Sequence, residues 1–411
     1  AGCGDFSVRI IIYLLAVVTS LTSLNFHALA QDLVVKGAEI HTMAGEAIQD
    51  GAIVIEDGKI VAVGPASTIT IPNNTRVLEA NVVTPGLIDA RTVVGLAGFL
   101  NQPHDQDQID RTDPIQPELR AIDAYNPNER LVEWLRSFGI TTIHTGHGPG
   151  ALVSGQTMIV KTVGNTADQA VLIPSAMLAA NLGSWAMEVG GKSPGTRSKQ
   201  ISMLRETLFK IKSILEKEGA PSDHQLDYEE LIFKSVLAGD MPMLVTAQRS
   251  QDIMSALRLK REFGIEIIID GGAESYLLLD EISEAGVKVL LHPTMARQSG
   301  EMQNASFSTA ARLHDAGIPF ALQSGFESYV PKTRVVLWEA AIAAANGLGW
   351  QNALASITID AASLLGVDDS LGSIEVGKDG DLALFDGDPF EYTSHVVAVV
   401  IDGSVVNEGS Q

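Results

Sequence analysis

The chain has 411 residues and a formal net charge of −22, with a sequence pI of about 4.7. A surface this acidic repels a phosphate backbone, which argues against nucleic acid as a partner. Hydrophobic residues at 45% and charged residues at 19% describe a well-buried globular chain, not a disordered one.

At the start of the chain Arg9 precedes the apolar run Ile10-Ile11-Ile12-Tyr13-Leu14-Leu15-Ala16-Val17-Val18. Ala28-Leu29-Ala30 then forms a small-x-small cleavage pattern before Gln31-Asp32. This predicts a secretory signal peptide over residues 1–30, too short for a stable membrane span, and a periplasmic or secreted mature protein. The alternative is an uncleaved anchor. Cys3 is the only cysteine and would leave with the signal. Neither a disulfide nor a thiol nucleophile is then expected.

Residues 33–43 read as a strand, and residues 51–64 as a hairpin turning at Asp57-Gly58. Residues 380–386 and 396–406 have the same β texture, with a second Asp-Gly turn at Asp402-Gly403. Neither end can bury both faces alone, so together they predict one composite β-sandwich, residues 31–84 plus 367–411. Between them, in residues 85–366, apolar strands alternate with helical segments. Strands are expected at 139–144, 170–174, 243–247, 265–270, 287–291 and 320–324. Helices are expected at 129–138, 198–218, 250–263, 273–285, 308–316 and 358–366. Strands that are apolar throughout, each followed by a helix, predict a parallel sheet covered on both faces. This many units in one domain predicts an α/β fold of the closed (β/α)8 TIM-barrel type.

The stretch that organises the chain is Val82-Val83-Thr84-Pro85-Gly86-Leu87-Ile88-Asp89-Ala90-Arg91-Thr92-Val93-Val94-Gly95. It reads as a strand entering the barrel and ending at a carboxylate, at the end where barrels keep their chemistry. It resembles the first barrel strand of the amidohydrolase superfamily, metal-dependent hydrolases acting mostly on C–N bonds. Gly372-Ser373-Ile374-Glu375-Val376-Gly377-Lys378-Asp379-Gly380-Asp381-Leu382 is similar to that family's C-terminal motif. The general texture is nearest the exported imidazolonepropionase-like and dipeptidase-like branch.

The resemblance implies metal ligands at five positions, and here they hold other residues. The two histidines that follow Pro-Gly-Leu-Ile-Asp are Arg91 and Val93. The ligands ending the fifth, sixth and eighth strands are Thr246, Gly271 and Gly325. A guanidinium stays protonated, and an isopropyl group has no lone pair. Without ligands no Zn²⁺ activates water, and the eighth-strand base is missing too. Lys161 lies in a separate β-like segment and is not read as a bridging ligand.

Three readings follow. In the first, the protein is a metal-deficient, impaired or non-catalytic homologue with no resident cofactor. It then acts as a homodimer or as a heteromer with an intact paralogue. In the second, it is a hydrolase with a displaced zinc or other divalent site built from His144, His147 and His292. In the third, it binds a small amide or peptide in a pocket containing Asp89, Arg91, His144, His147, Asp270, His292 and Ser324. An Asp89–Arg91 ion pair is expected to fill the vacated site, with Asp270 as the second carboxylate. His104, Asp105 and Asp107 lie in the polar first loop, while His41, His224, His314 and His395 read as structural. No Gly-x-Ser-x-Gly elbow surrounds Ser154 or Ser324, and Gly146-His147-Gly148-Pro149-Gly150 lacks the ending of a phosphate loop.

Overall fold

Strands fall into three groups along the chain. Four open it: β1 (Leu33–Ile40), β2 (Ile48–Glu56), β3 (Lys59–Pro65) and β4 (Arg76–Pro85). Ten occupy the middle: β5 (Leu87–Thr92), β6 (Ile140–Thr145), β7 (Val153–Gln156), β8 (Met158–Lys161), β9 (Val171–Ile173), β10 (Leu178–Asn181), β11 (Met243–Ala247), β12 (Ile267–Gly271), β13 (Lys288–Leu291) and β14 (Phe320–Leu322). Three close it: β15 (Leu382–Phe385), β16 (Val396–Ile401) and β17 (Ser404–Glu408). The computed structural model describes residues 32–188, 193–217, 222–294, 298–326 and 335–409. The expected signal peptide and Cys3 lie outside these residues. Among the described residues, no helix is long and apolar enough to cross a membrane.

The two chain ends build one sheet of order β17-β16-β15-β4-β1-β2-β3. β15 pairs antiparallel with β4, with Leu384 opposite Val83, so the C-terminal strands form the middle of this sheet and one of its edges. The sheet curls until its two hairpin tips meet. Gly58, at the β2–β3 turn, has φ +80°, and a Cβ there would lie 3.0 Å from the Asp402 carbonyl at the β16–β17 turn. Leu33, Val35, Ile53, Ile55, Leu382, Leu384 and Val400 share the enclosed core. This is the composite sandwich, and it forms because each end supplies half of one apolar interior.

The middle strands form the (β/α)8 barrel. Among the described residues eight staves follow in circular order. β5 and β6 are parallel. The run β7–β8 is the third stave, antiparallel to β6 through β8 and to β10 through β7. β9 leads on into β10 as the fourth, and β11 to β14 follow in parallel. β14 returns beside β5, where the Gly325 N–H donates to the Arg91 carbonyl at 3.0 Å. The reversed third stave departs from the all-parallel expectation. Residues 153–161 and 171–181 fold as a hairpin within the wall instead of crossing over a helix.

Most expected helices appear within a few residues, such as Arg130–Ser137 capped by the Glu129 side chain. Residues 273–285 differ. They split into a 3₁₀ turn, Ser275–Leu277, and a short helix, Leu279–Glu284, with Leu278 outside the helical region. Glu274, just before the 3₁₀ turn, serves a neighbouring element. Its carboxylate accepts the Ser250 N–H and the Asn304 amide, each at 2.7 Å, and so serves a neighbouring helix's start. The helices Tyr228–Ala238, Val336–Ala343 and Trp350–Ala355 are not among the expected ones, and the second of them packs against β5 and β14.

Lys161, ending β8, joins barrel to sandwich. Its buried ammonium donates to Asp379 at 2.8 Å, to Asp381 at 3.2 Å and to Asp402. Three carboxylates this close repel one another, and the tethered cation offsets that, with Asp381 buried and the Asp402 side chain exposed.

Candidate active site at the barrel mouth

Strand register brings the predicted carboxylates to the same end of the barrel. Thr246 and Asp270 are partners across β11 and β12, so the Thr246 hydroxyl donates to Asp270 Oδ2 at 2.7 Å. Gln323, just past β14, donates its amide to Asp270 Oδ1 at 2.6 Å. Asp89 is fully buried, and Ser324 gives it both a backbone N–H, at 3.0 Å, and its hydroxyl. Burial pushes the Asp89 carboxyl up to about 6, and the nearby Glu339 charge adds to this, while the Ser324 bonds hold it down.

Arg91 is 4% exposed and does not make the expected ion pair. Its Nη1 donates to the Thr92 carbonyl at 2.7 Å and its Nη2 to the His147 carbonyl, while Nε has no hydrogen-bond partner. The side chain therefore reaches along the rim, where backbone carbonyls of β5 and of the loop after β6 capture it. Burial disfavours its charge, and the carboxylates of Asp270 and Asp89 favour it from a distance.

The three candidate histidines do not assemble into a displaced metal site. His144 spends both ring nitrogens, Nδ1 on the Ala90 carbonyl at 2.8 Å and Nε2 on the Thr157 hydroxyl at 2.7 Å. Because Ala90 supplies only an acceptor, Nδ1 carries the proton and Nε2 accepts, which leaves no lone pair for a cation. His292 points Nδ1 at the Gln323 carbonyl, 3.3 Å away, and lies 4.0 Å from Glu339 Oε1. Among the described residues the group of three or more potential ligands close enough for one ion is Asp379, Asp381 and Asp402, which Lys161 already holds.

The remaining candidates serve structure. Asp105 binds the N–H groups of Leu100 and Gln102 in the first loop. His41 stacks 4.4 Å from Trp350, His314 meets Asn352, and His395 meets Asp386. The His224 side chain lies outside the described residues. Two site residues escape the sequence reading. Gln323 is one. Glu339, whose Oε2 accepts the Thr294 N–H at 2.8 Å, is the other. Its signal was available: it is a lone acid in the apolar run Val335-Val336-Leu337-Trp338-Glu339-Ala340-Ala341.

Burial, with the Arg91 charge beside them, pushes His144 down to about 3 and His147 down to about 4. An unfolded histidine titrates near 6.5, so below that pH the unfolded chain takes a proton that the folded chain refuses. Each histidine therefore costs stability as pH falls from about 6.5 towards its folded value. Asp89 and Asp381, both raised to about 6, change in the opposite sense and mask the effect in the unmodified protein. The difference between His147→Gln and the unmodified protein isolates it. That difference should move by about 2 kcal/mol in the variant's favour between about pH 7.5 and about pH 5. Urea unfolding at both pH values checks this, and a difference independent of pH refutes it.

Gly271 and Gly325 show how the mouth is filled. Gly271 has φ +90°, and a Cβ there would fall 2.3 Å from Gln248 Nε2. Gly325 has φ +69°, and its Cβ would fall 2.6 Å from the ring of His292. A side chain at either position meets both a left-handed backbone and an occupied space.

A profile described as the amidohydrolase family matches residues 121–407. The chain belongs to the amidohydrolase family. It is 26% identical to an imidazolonepropionase of Symbiobacterium thermophilum, across 92% of this chain and 98% of that one. Amidohydrolase tasK of Hapsidospora irregularis is 23% identical over 86% of this chain, which spans 39% of that protein's length. Among solved structures, an amidohydrolase from Thermotoga maritima MSB8 superposes with a TM-score of 0.84 at 26% identity, covering 92% of this chain and all of that one. A Xaa-Pro dipeptidase with bound methionine shares the fold at a TM-score of 0.59 and 17% identity, over 92% of this chain and all of that one.

Proposed function

We propose that this chain is an amidohydrolase-family protein that has lost the standard metal centre, a non-catalytic or severely impaired relative of C–N hydrolases. The observation that carries the reading is the state of Gly271 and Gly325. Both sit where the family resemblance implies a ligand. Each has a left-handed backbone, and a neighbour's side chain fills the place its own would take. The metal that the family implies therefore does not fit these residues. Arg91, Val93 and Thr246 supply no imidazole, and the oxygens of Asp89 and Asp270 accept hydrogen bonds from Ser324, Thr246 and Gln323. A guanidinium near both carboxylates also opposes a dication by several kcal/mol, taking an effective dielectric of about 20.

Plasma mass spectrometry of the purified full-length protein tests the reading directly. Well under one zinc, manganese or iron per chain is expected. No hydrolysis is expected from a panel of cyclic amides and dipeptides with those metals added. Stoichiometric metal, or metal-dependent turnover, overturns the proposal.

A further inference from the structure

Three loops of the barrel mouth are tied together by charges that lie apart from Asp89, Arg91 and Asp270. The first follows β10, the second opens the helix Ser250–Phe263 after β11, and the third follows β13. Arg197 stands between them. Its Nε binds both oxygens of Asp252, at 2.8 and 3.1 Å, and its Nη2 binds both oxygens of Glu301, at 2.9 and 2.8 Å. Glu301 Oε1 also accepts the Ser184 N–H at 3.0 Å, and Arg249 Nε lies 3.7 Å from Oε2. Across the mouth Glu188 lies 3.6 Å from Arg111, in the loop after β5.

The turn held by Glu301, Ser184–Ala186, carries Trp185. The Trp185 ring lies 6.1 Å from the Phe326 ring. Phe326 in turn covers Gly148, where a Cβ would be 3.2 Å away, and Gly148 adjoins the His147 that anchors Arg91. The turn begins at Gly183, with φ +83°, whose N–H and carbonyl are both clamped by the Gln200 amide, at 3.1 and 2.8 Å. Beyond Gly183 the turn is held by the Glu301 carboxylate on the Ser184 N–H, by the buried Ala186 and by the Glu188 N–H, which donates to the Pro194 carbonyl at 2.9 Å. Among the described residues Trp185 packs on the small cluster Ala273, Met302 and Ala305 and against the Phe326 ring, and its buried Nε1 makes no hydrogen bond.

We propose that the Trp185 turn is a hinged cover over the barrel mouth, pivoting after Gly183 and latched by Glu301 to Arg197 and the Ser184 N–H. A small apolar contact and one ionic latch give two nearby states, held and released, where a large core would give one. The Arg197 side chain is 32% exposed, so salt can reach the latch. This cover is independent of whether the mouth binds metal.

Acrylamide quenching of tryptophan emission in the full-length protein tests it, with Trp185→Phe defining the share that belongs to Trp185. Glu301→Ala and Arg197→Met should each raise the Trp185 quenching constant by at least about two-fold, with circular dichroism unchanged. Sodium chloride added to the unmodified protein should shift it the same way, and this measurement stands even if Glu301→Ala fails to fold. Glu262→Ala removes the exposed Arg205–Glu262 pair, at 2.7 Å, and should change nothing. A Trp185 signal that neither the Arg197 variant nor salt alters overturns the proposal.

Discussion

Ending the chain before Gly372 is expected to abolish folding, not merely to weaken it. The deletion removes β15 from beside β4 and β16 with it, which opens the interior of the sandwich. Ile374, Leu382, Leu384, Phe385, Val399, Val400 and Ile401 are each at most 1% exposed and would all be lost. At about 1.5–3 kcal/mol per large side chain, the upper estimate is on the order of 10–20 kcal/mol, against about 5–15 kcal/mol of total stability for a typical domain. Asp379, Asp381 and Asp402 go as well, which strands the buried ammonium of Lys161. Soluble yield and a thermal melt of the truncated chain provide the measurement. A soluble product with an unchanged melting temperature would mean that the barrel does not need the shared sheet.

The second large effect is expected from Arg91→Leu, on the order of 2–6 kcal/mol of lost stability, because two buried carbonyls lose their donors at about 1–3 kcal/mol each. The carbonyls of Thr92 and His147 lose their charged donors, and the Asp89 and Asp270 carboxylates lose a cation that acts on them. Urea unfolding gives the number, and a loss below about 1 kcal/mol would show the guanidinium to be dispensable. The same position governs attempts to rebuild a metal centre. Arg91→His alone leaves one imidazole without convergent partners. Adding Val93→His, Thr246→His, Gly271→His and Gly325→Asp is expected to fail too. The Gln248 amide and the His292 ring occupy the space that the last two side chains need.

How much of this was legible in the sequence depends on the range of the interaction concerned. The α/β alternation, the terminal hairpins and the Pro85-Gly86-Leu87-Ile88-Asp89 strand are local patterns, so periodicity and turn chemistry were enough to predict the barrel and its sandwich. Residue types also foretold that Arg91 and Val93 offer no ligand atoms, because that follows from side-chain chemistry wherever the residues lie.

Tertiary structure alone decided the partners. Arg91 and Asp89 lie two apart in sequence, and a pair was the natural expectation. Yet Asp89 is met by Ser324, 235 residues away, and Arg91 by the His147 carbonyl. His144 looked like a ligand until packing put the Ala90 carbonyl and the Thr157 hydroxyl on its two nitrogens. The reversed third stave was hidden for the same reason: strand direction is set by which wall a segment joins, not by its composition. Lys161, an isolated cation in its strand, meets carboxylates more than 200 residues downstream because the barrel wall ends where the sandwich turns begin. A sequence determines which groups are available; only the closed barrel determines which of them meet, because each contact of this kind depends on the course of every stave between its partners.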